Sequence, residues 1–85
     1  NQAWRVREMA TRVVAARSLE LTEPLVALLV DDVARVRAAA ARALGAVGAL
    51  EQVDDIRPLL KDPEIDVRRG AQQAIDALRA KFAAA

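Results

Sequence analysis

The chain has no cysteine and no histidine. The first absence excludes disulfides, thiolate metal sites and cysteine nucleophiles, and leaves the redox compartment undetermined. The second excludes imidazole catalysis, histidine-ligated zinc and any Ser-His triad built within this chain. Aromatics are nearly absent. Trp4 and Phe82 are the only two, too few for platforms on which bases stack, and both read as end caps of a core. No apolar run approaches the ~18 residues that a bilayer span needs. No N-terminal stretch reads as a signal peptide. The formal net charge is only +1, so the chain as a whole makes no electrostatic case for nucleic acid or membrane binding.

The remaining polar groups add no catalytic case. Asp54 and Asp55 are adjacent and so point to different sides of a helix. Asp31 and Asp32 read as caps. Thr11, Ser18 and Thr22 have no evident base beside them. There is no glycine-rich phosphate loop, and Gly45 and Gly48 read as helix-end glycines. Neither a catalytic residue, a cofactor nor a metal site is expected.

What the chain does have is aliphatic periodicity. Its 85 residues, 54% of them hydrophobic, allow one compact domain whose core must be thin and regular. Val6, Met9, Ala10, Val13 and Val14 follow the i, i+3, i+4, i+7, i+8 spacing of a buried helix face. Val36, Ala39, Ala40, Ala43, Leu44 and Val47 do the same, as do Val67, Gly70, Ala71, Ala74, Ile75 and Leu78. No segment alternates at period two over strand length. Thr22 reads as an N-cap with Pro24 in the first turn, Asp31 or Asp32 as the next cap, and Asp62-Pro63-Glu64 as the strongest helix start. Five antiparallel helices are expected, at about 3–18, 22–31, 33–47, 51–61 and 63–82. Pro58 lies inside the fourth and should kink it.

The chain also repeats itself. Val6-Arg7, Val36-Arg37 and Val67-Arg68 are spaced by 30 and then 31 residues, and Leu28-Leu29 and Leu59-Leu60 each lie eight positions before the following valine. The unit is a short helix, an acidic turn and a longer helix opening on Val-Arg. No such unit buries its apolar face alone, and stacked units share one core. The stretches LVALLVDDVARVRAAAARALGAVG and IRPLLKDPEIDVRRGAQQAIDAL resemble HEAT repeats of the short class, about 30 residues long, found in bacterial and archaeal proteins and in phycobilin lyases. The resemblance covers almost the whole chain. It implies an all-α αα-superhelix of two to two-and-a-half repeats, right-handed, with its second helices on the concave side. It also implies a protein-binding scaffold more often than an enzyme. The hydroxylase branch of the family uses His-Glu pairs for iron and is excluded. The first unit has only its long helix, and the chain opens at Asn1 rather than Met. Residues 1–85 therefore read as a single domain excerpted from a longer array.

Two sets of residues stand out. Arg7, Arg37 and Arg68 recur at one position of the repeat, with Asp32 and Asp62 read as equivalent acceptors. In the family this arginine bonds the acidic turn of an adjacent repeat, fixing the stacking angle. The second set is Arg5, Arg12, Arg35 and Arg42, spaced by seven within each helix and by 30 between helices. Residues 1–18 carry four Arg and one Glu, residues 33–48 three Arg and no acid, and residues 19–32 four acids and no base. The long helices are basic and the short ones acidic, which makes a stripe able to recruit an acidic segment. The stripe fades in the third unit, at Asp66 and Gln73. The same residues also fit an ordinary solvated face. Between the arginines lies a small-residue ridge, Ala38, Ala41 and Gly45, which either admits a partner helix or reflects the helix propensity of alanine.

The expectation is a protein-binding module that works through its long-helix face in the cytoplasm. A protein with an acidic segment or helix is the expected partner, with homo-oligomer formation through the uncapped first helix. The alternatives are a nucleic-acid-binding HEAT-like domain, which the near-zero net charge disfavours, and a non-catalytic part of a HEAT-like lyase or larger enzyme.

Overall fold

A computed structural model describes residues 3–16 and 22–83, the side chains of 10–16 excepted. Five α-helices follow one another: α1 Ala3–Ala16, α2 Thr22–Leu28, α3 Ala34–Val47, α4 Gln52–Ile56 and α5 Ile65–Phe82. A 3₁₀ turn, Arg57–Lys61, continues α4. No strand occurs among the described residues. The long helices lie side by side, α1 on α3 and α3 on α5. The short ones form a second layer, α2 on α3 and α4 with the 3₁₀ turn on α5. The shortest Cα dimension, 16 Å, fits two helix layers packed about 8–10 Å apart.

The core runs between these layers. Leu25 and Leu29 come from the first short helix and its exit turn, and Val36, Ala40, Ala43 and Leu44 from α3. Val53, Ile56 and Leu59 come from the second short segment, and Val67, Ala71, Ile75 and Leu78 from α5. Period-3.6 spacing put these side chains on one face of each long helix, and each preceding short helix covers that face. The first long helix differs. Val6 and Met9, expected to be buried, are 67% and 62% exposed. Among the described elements α1 packs extensively only on α3, so no short helix covers its valine as α2 covers Val36. Ala10, Val13 and Val14 lie outside the described side chains, as does residue 18, the expected end of the first helix.

Several boundaries shift for local reasons. The second helix stops at Leu28 rather than 31, because Leu29 and Asp31 donate their backbone N–H groups three residues back, to Val26 and Leu28. The fourth is not a kinked α-helix. Pro58 has no N–H to give the carbonyl four residues earlier, and the chain winds as 3₁₀ from Arg57. The glycines divide. Gly48 ends α3 and donates its N–H to the Leu44 carbonyl, but Gly45 sits inside α3 and is buried.

The third and fifth helices start alike, each later than its acidic residue. Asp31 Oδ1 accepts the Val33 N–H at 2.9 Å, and Asp62 Oδ1 accepts the Glu64 N–H at 2.9 Å. Val33 and Glu64 are then the N-caps, both extended. The repeat-equivalent aspartate is therefore Asp31, not Asp32. It is the residue that binds across the stack. Arg7 donates Nε and Nη2 to the two oxygens of Asp31 at 2.6 and 2.9 Å. Arg37 donates the same pair to Asp62 at 2.8 and 3.1 Å. Its remaining Nη1 reaches the carbonyls of Asp31 and Asp32 at 2.8 and 3.2 Å. Each bidentate pair ties one long helix to the turn before the next, which fixes angle as well as distance.

The two carboxylates titrate low, for different balances of causes. The bond from Arg7 lowers Asp31 against the opposing effect of burial. At Asp62 burial is the largest influence and pushes upward, but the bonds from Arg37 and the Glu64 N–H, together with nearby positive charge, carry it below its ordinary value. An unfolded aspartate takes up its proton near pH ~3.9. As pH falls the unfolded chain binds protons first, so the stability these pairs add is present above about pH 4 and lost as pH drops through the lowered folded-state values. Urea stability should stay level from neutral pH to about 5 and decline below about 4. The decline should be shallower in the Asp31→Asn/Asp62→Asn variant.

Candidate functional site

On α1 and α3 the structure sets Arg5 and Arg35 at the ring of Trp4. Their Cζ atoms lie 5.3 and 5.5 Å from its centroid. Trp4, half-buried, is thus a brace between two long helices rather than a core cap. Phe82, the other expected cap, is 41% exposed. Arg42 lies two turns along α3 from Arg35. Its guanidinium passes close to Gly70 of α5, so that a Cβ at Gly70 would stand 3.5 Å from its Cζ. The bare backbone of Gly70 gives Arg42 its resting place.

Arg5, Arg35 and Arg42 are exposed. Among the described residues none of the three has an ion pair, in contrast to Arg7 and Arg37, each held by an aspartate, and to Arg57, which bonds Asp54 on the surface at 2.8 Å. The sequence brings acids close to these helices, but the acids turn elsewhere: Asp31 and Asp62 to the stacking arginines, Asp54 to Arg57. What remains on the long-helix side is a row of guanidinium groups with no carboxylate partner among the described residues. The side chain of Arg12, the fourth member of the expected stripe, lies outside the described residues.

The small-residue ridge proves to be an internal contact. Ala38, Ala41 and Gly45 are buried, and the helix they admit is the chain's own α5. A Cβ built on Gly45 would fall 2.8 Å from Ala74 Cα. A partner helix cannot occupy that ridge. Its rim is open, however. Arg42, Gly45, Ala46, Gln73, Ala74 and Ala77 line a shallow groove of about 290 Å³ between α3 and α5. A second hollow, about 400 Å³, lies at the far end of these helices beside Thr22, Glu51, Gln52 and Phe82. There Lys81 donates to the Ala46 carbonyl at 3.3 Å, where a cation meets the negative end of α3.

No group of three or more potential metal ligands occurs among the described residues, and no helix there is long and apolar enough to cross a membrane. Sequence reasoning missed two features. The bracing role of Trp4 carries no linear signal, because Arg35 is 31 residues away. The choice of Asp31 over Asp32 was available: counting six residues back from Arg37 and Arg68 gives Asp31 and Asp62.

The family model for HEAT repeats matches residues 1–79. No curated protein and no solved structure matches the chain.

Proposed function

Because the chain belongs to the HEAT-repeat family, whose members are generally non-catalytic protein-interaction scaffolds, we propose that it binds a protein partner through its long-helix face. Arg5, Arg35 and Arg42 steer an acidic segment onto that face. The groove beside Arg42 and Gln73 seats part of it. The observation that carries the reading is the row of exposed guanidiniums, without carboxylate partners among the described residues, on one side of a domain whose net charge is only +1. A patch of one sign focuses a field that the net charge conceals. An exposed arginine is also a frequent anchor at protein interfaces.

The experiment replaces Arg5, Arg35 and Arg42 together with glutamate and compares capture from a lysate of the source cells. The wild type should retain acidic proteins that elute as salt rises, since such contacts are screened beyond about 8–10 Å at physiological ionic strength. The variant should retain none of them. Folding should change little. The three arginines hold no ion pair among the described residues, and the two contacts with Trp4 contribute about 0.5–1 kcal/mol each at exposed sites. Equal capture by both proteins would remove the stripe from the account. Retention that nuclease abolishes would transfer the face to nucleic acid. Sedimentation of the same samples reports on self-association, for which the exposed Val6 and Met9 of α1 provide the surface.

A further inference from the structure

The hollow beside the turn from α3 to α4 already receives one cation. The last carbonyls of an α-helix have no partner within the helix and carry its negative end. In α3 the Leu44 carbonyl is taken by the Gly48 N–H. The Ala46 carbonyl is taken by an ammonium, that of Lys81, 35 residues on in sequence. The same ammonium lies 5.6 Å from the centre of the Phe82 ring. A carbonyl and an aromatic face together make a cradle for a primary ammonium.

Lys81 is a loose occupant. Its bond, 3.3 Å long, falls outside the usual ~2.7–3.2 Å range, and the side chain is exposed. With Lys81 in place the hollow still holds about 400 Å³ of open space. Its strongest acceptor is unused. Glu51 lines the hollow, is exposed and has no ion pair among the described residues. Gln52, also in the wall, is buried. Its Oε1 accepts the Ala49 N–H at 2.6 Å, which fixes the amide's orientation. Its Nε2 has no partner among the described residues and is not sealed from solvent, so it faces the hollow as a donor. An anion is a poor occupant, because the Glu51 carboxylate and the negative end of α3 both repel it. A cation with an oxygen acceptor beside it satisfies every group.

We propose that this hollow is a binding site for a primary ammonium, presented by a lysine of a protein partner in place of Lys81. The incoming ammonium pairs with Glu51 and takes over the Ala46 carbonyl. Its methylene stem lies along the Phe82 ring, as lysine stems lie along apolar surface. The backbone carbonyl of the partner's lysine accepts from Gln52 Nε2, an oxygen that a free amine lacks. Lys81 turns out into solvent and is a placeholder rather than a ligand-binding group. The site is independent of the arginine row on the long-helix face and opposite to it in charge.

The backbone amide resonances of Gly48 and Ala49, in the wall of the hollow, test it in the intact domain. The probe is a capped pentapeptide with one lysine among glycines, added to millimolar excess. Both amides should shift and saturate. The same peptide with its lysine acetylated should leave them in place. Lys81→Ala vacates the cradle and should tighten binding about threefold, whereas Glu51→Gln should weaken it about threefold. The direction of the Lys81 effect is decisive, since a hollow that used Lys81 to hold an anion would bind less well without it. Weaker binding by Lys81→Ala, or a saturating response to the peptide with glutamate in place of lysine, would overturn the proposal. So would amides that stay unmoved at full excess or move equally with the acetylated peptide. Free n-butylamine should bind more weakly than the lysine peptide, and equal affinity would overturn the assignment to a protein partner.

Discussion

Asp62→Ala should be the most damaging single polar substitution in the chain, with a loss of about 3–4 kcal/mol in urea titrations. Asp62 is buried, and its carboxylate receives three bonds: two from Arg37 and one from the Glu64 N–H. Removing it strands a guanidinium whose side chain is only 15% exposed. Breaking a buried pair from one side costs about 3–5 kcal/mol, because the surviving charge stays desolvated. The remaining bonds of Arg37 to the Asp31 and Asp32 carbonyls place the expectation in the lower part of that range. A domain of this size has a total stability on the order of 4–13 kcal/mol, so the substitution removes from about a quarter to nearly all of it. Asp32→Ala is the control. Asp32 is exposed, its backbone carbonyl accepts from Arg37, and its side chain acts on Arg7 only through its charge, so its loss should stay within about 0.5 kcal/mol. If the two variants behaved alike, the assignment of the stacking bond to Asp31 and Asp62 would be wrong.

The two buried glycines inside helices, Gly45 and Gly70, should respond with opposite signs. Gly45→Leu forces a side chain into the α3–α5 contact, where even a Cβ would stand 2.8 Å from the Ala74 backbone and 3.0 Å from its methyl. Backbone cannot step aside as a side-chain tip can, so the helices must separate. Overpacking of this kind costs about 1–3 kcal/mol, and a leucine here should reach about 3. Gly70→Ala meets only ordinary contacts, 3.4 Å to the Ala38 carbonyl and 3.5 Å to Arg42 Cζ. It removes a glycine from a helix interior, where glycine is destabilising by about 0.5–1 kcal/mol relative to alanine. It should therefore raise the melting temperature. Two melting curves beside the wild type decide the matter. A stabilised Gly45→Leu would mean that α3 and α5 do not touch where described.

These two results also mark how far the sequence can be read. The repeat was legible because valine-arginine at 6, 36 and 67 and leucine pairs at 28 and 59 share one period, and period alone implies stacking. The buried faces of α3 and α5 followed from 3.6-residue spacing. Spacing names a face but not its cover, and the face of α1 shows the difference. Val6 has the same register as Val36, yet no described short helix covers it. The ridge at Ala38, Ala41 and Gly45 was legible as a close-approach surface, and its occupant was not, since α5 returns to it from 30 residues away. The stripe is half legible. Linear spacing put Arg5, Arg35 and Arg42 on related faces. Whether neighbouring acids neutralise them depends on where those acids turn, and here the stacking and surface pairs take them. Asp31 and Asp32 differ by one residue, which in a turn separates a part-buried stacking carboxylate from an exposed one.

The claim that the long-helix layer is the binding face is most directly tested by photo-crosslinking from each side of the slab. A benzophenone amino acid is placed at Gln73, in the groove beside Arg42, or at Asp55 on the exposed side of α4. Each protein is irradiated in lysate of the source cells. The account predicts discrete protein adducts from position 73, suppressed by added salt, and none from position 55. Adducts formed from position 55 alone, or equally from both, would contradict it and move the interface to the short-helix layer.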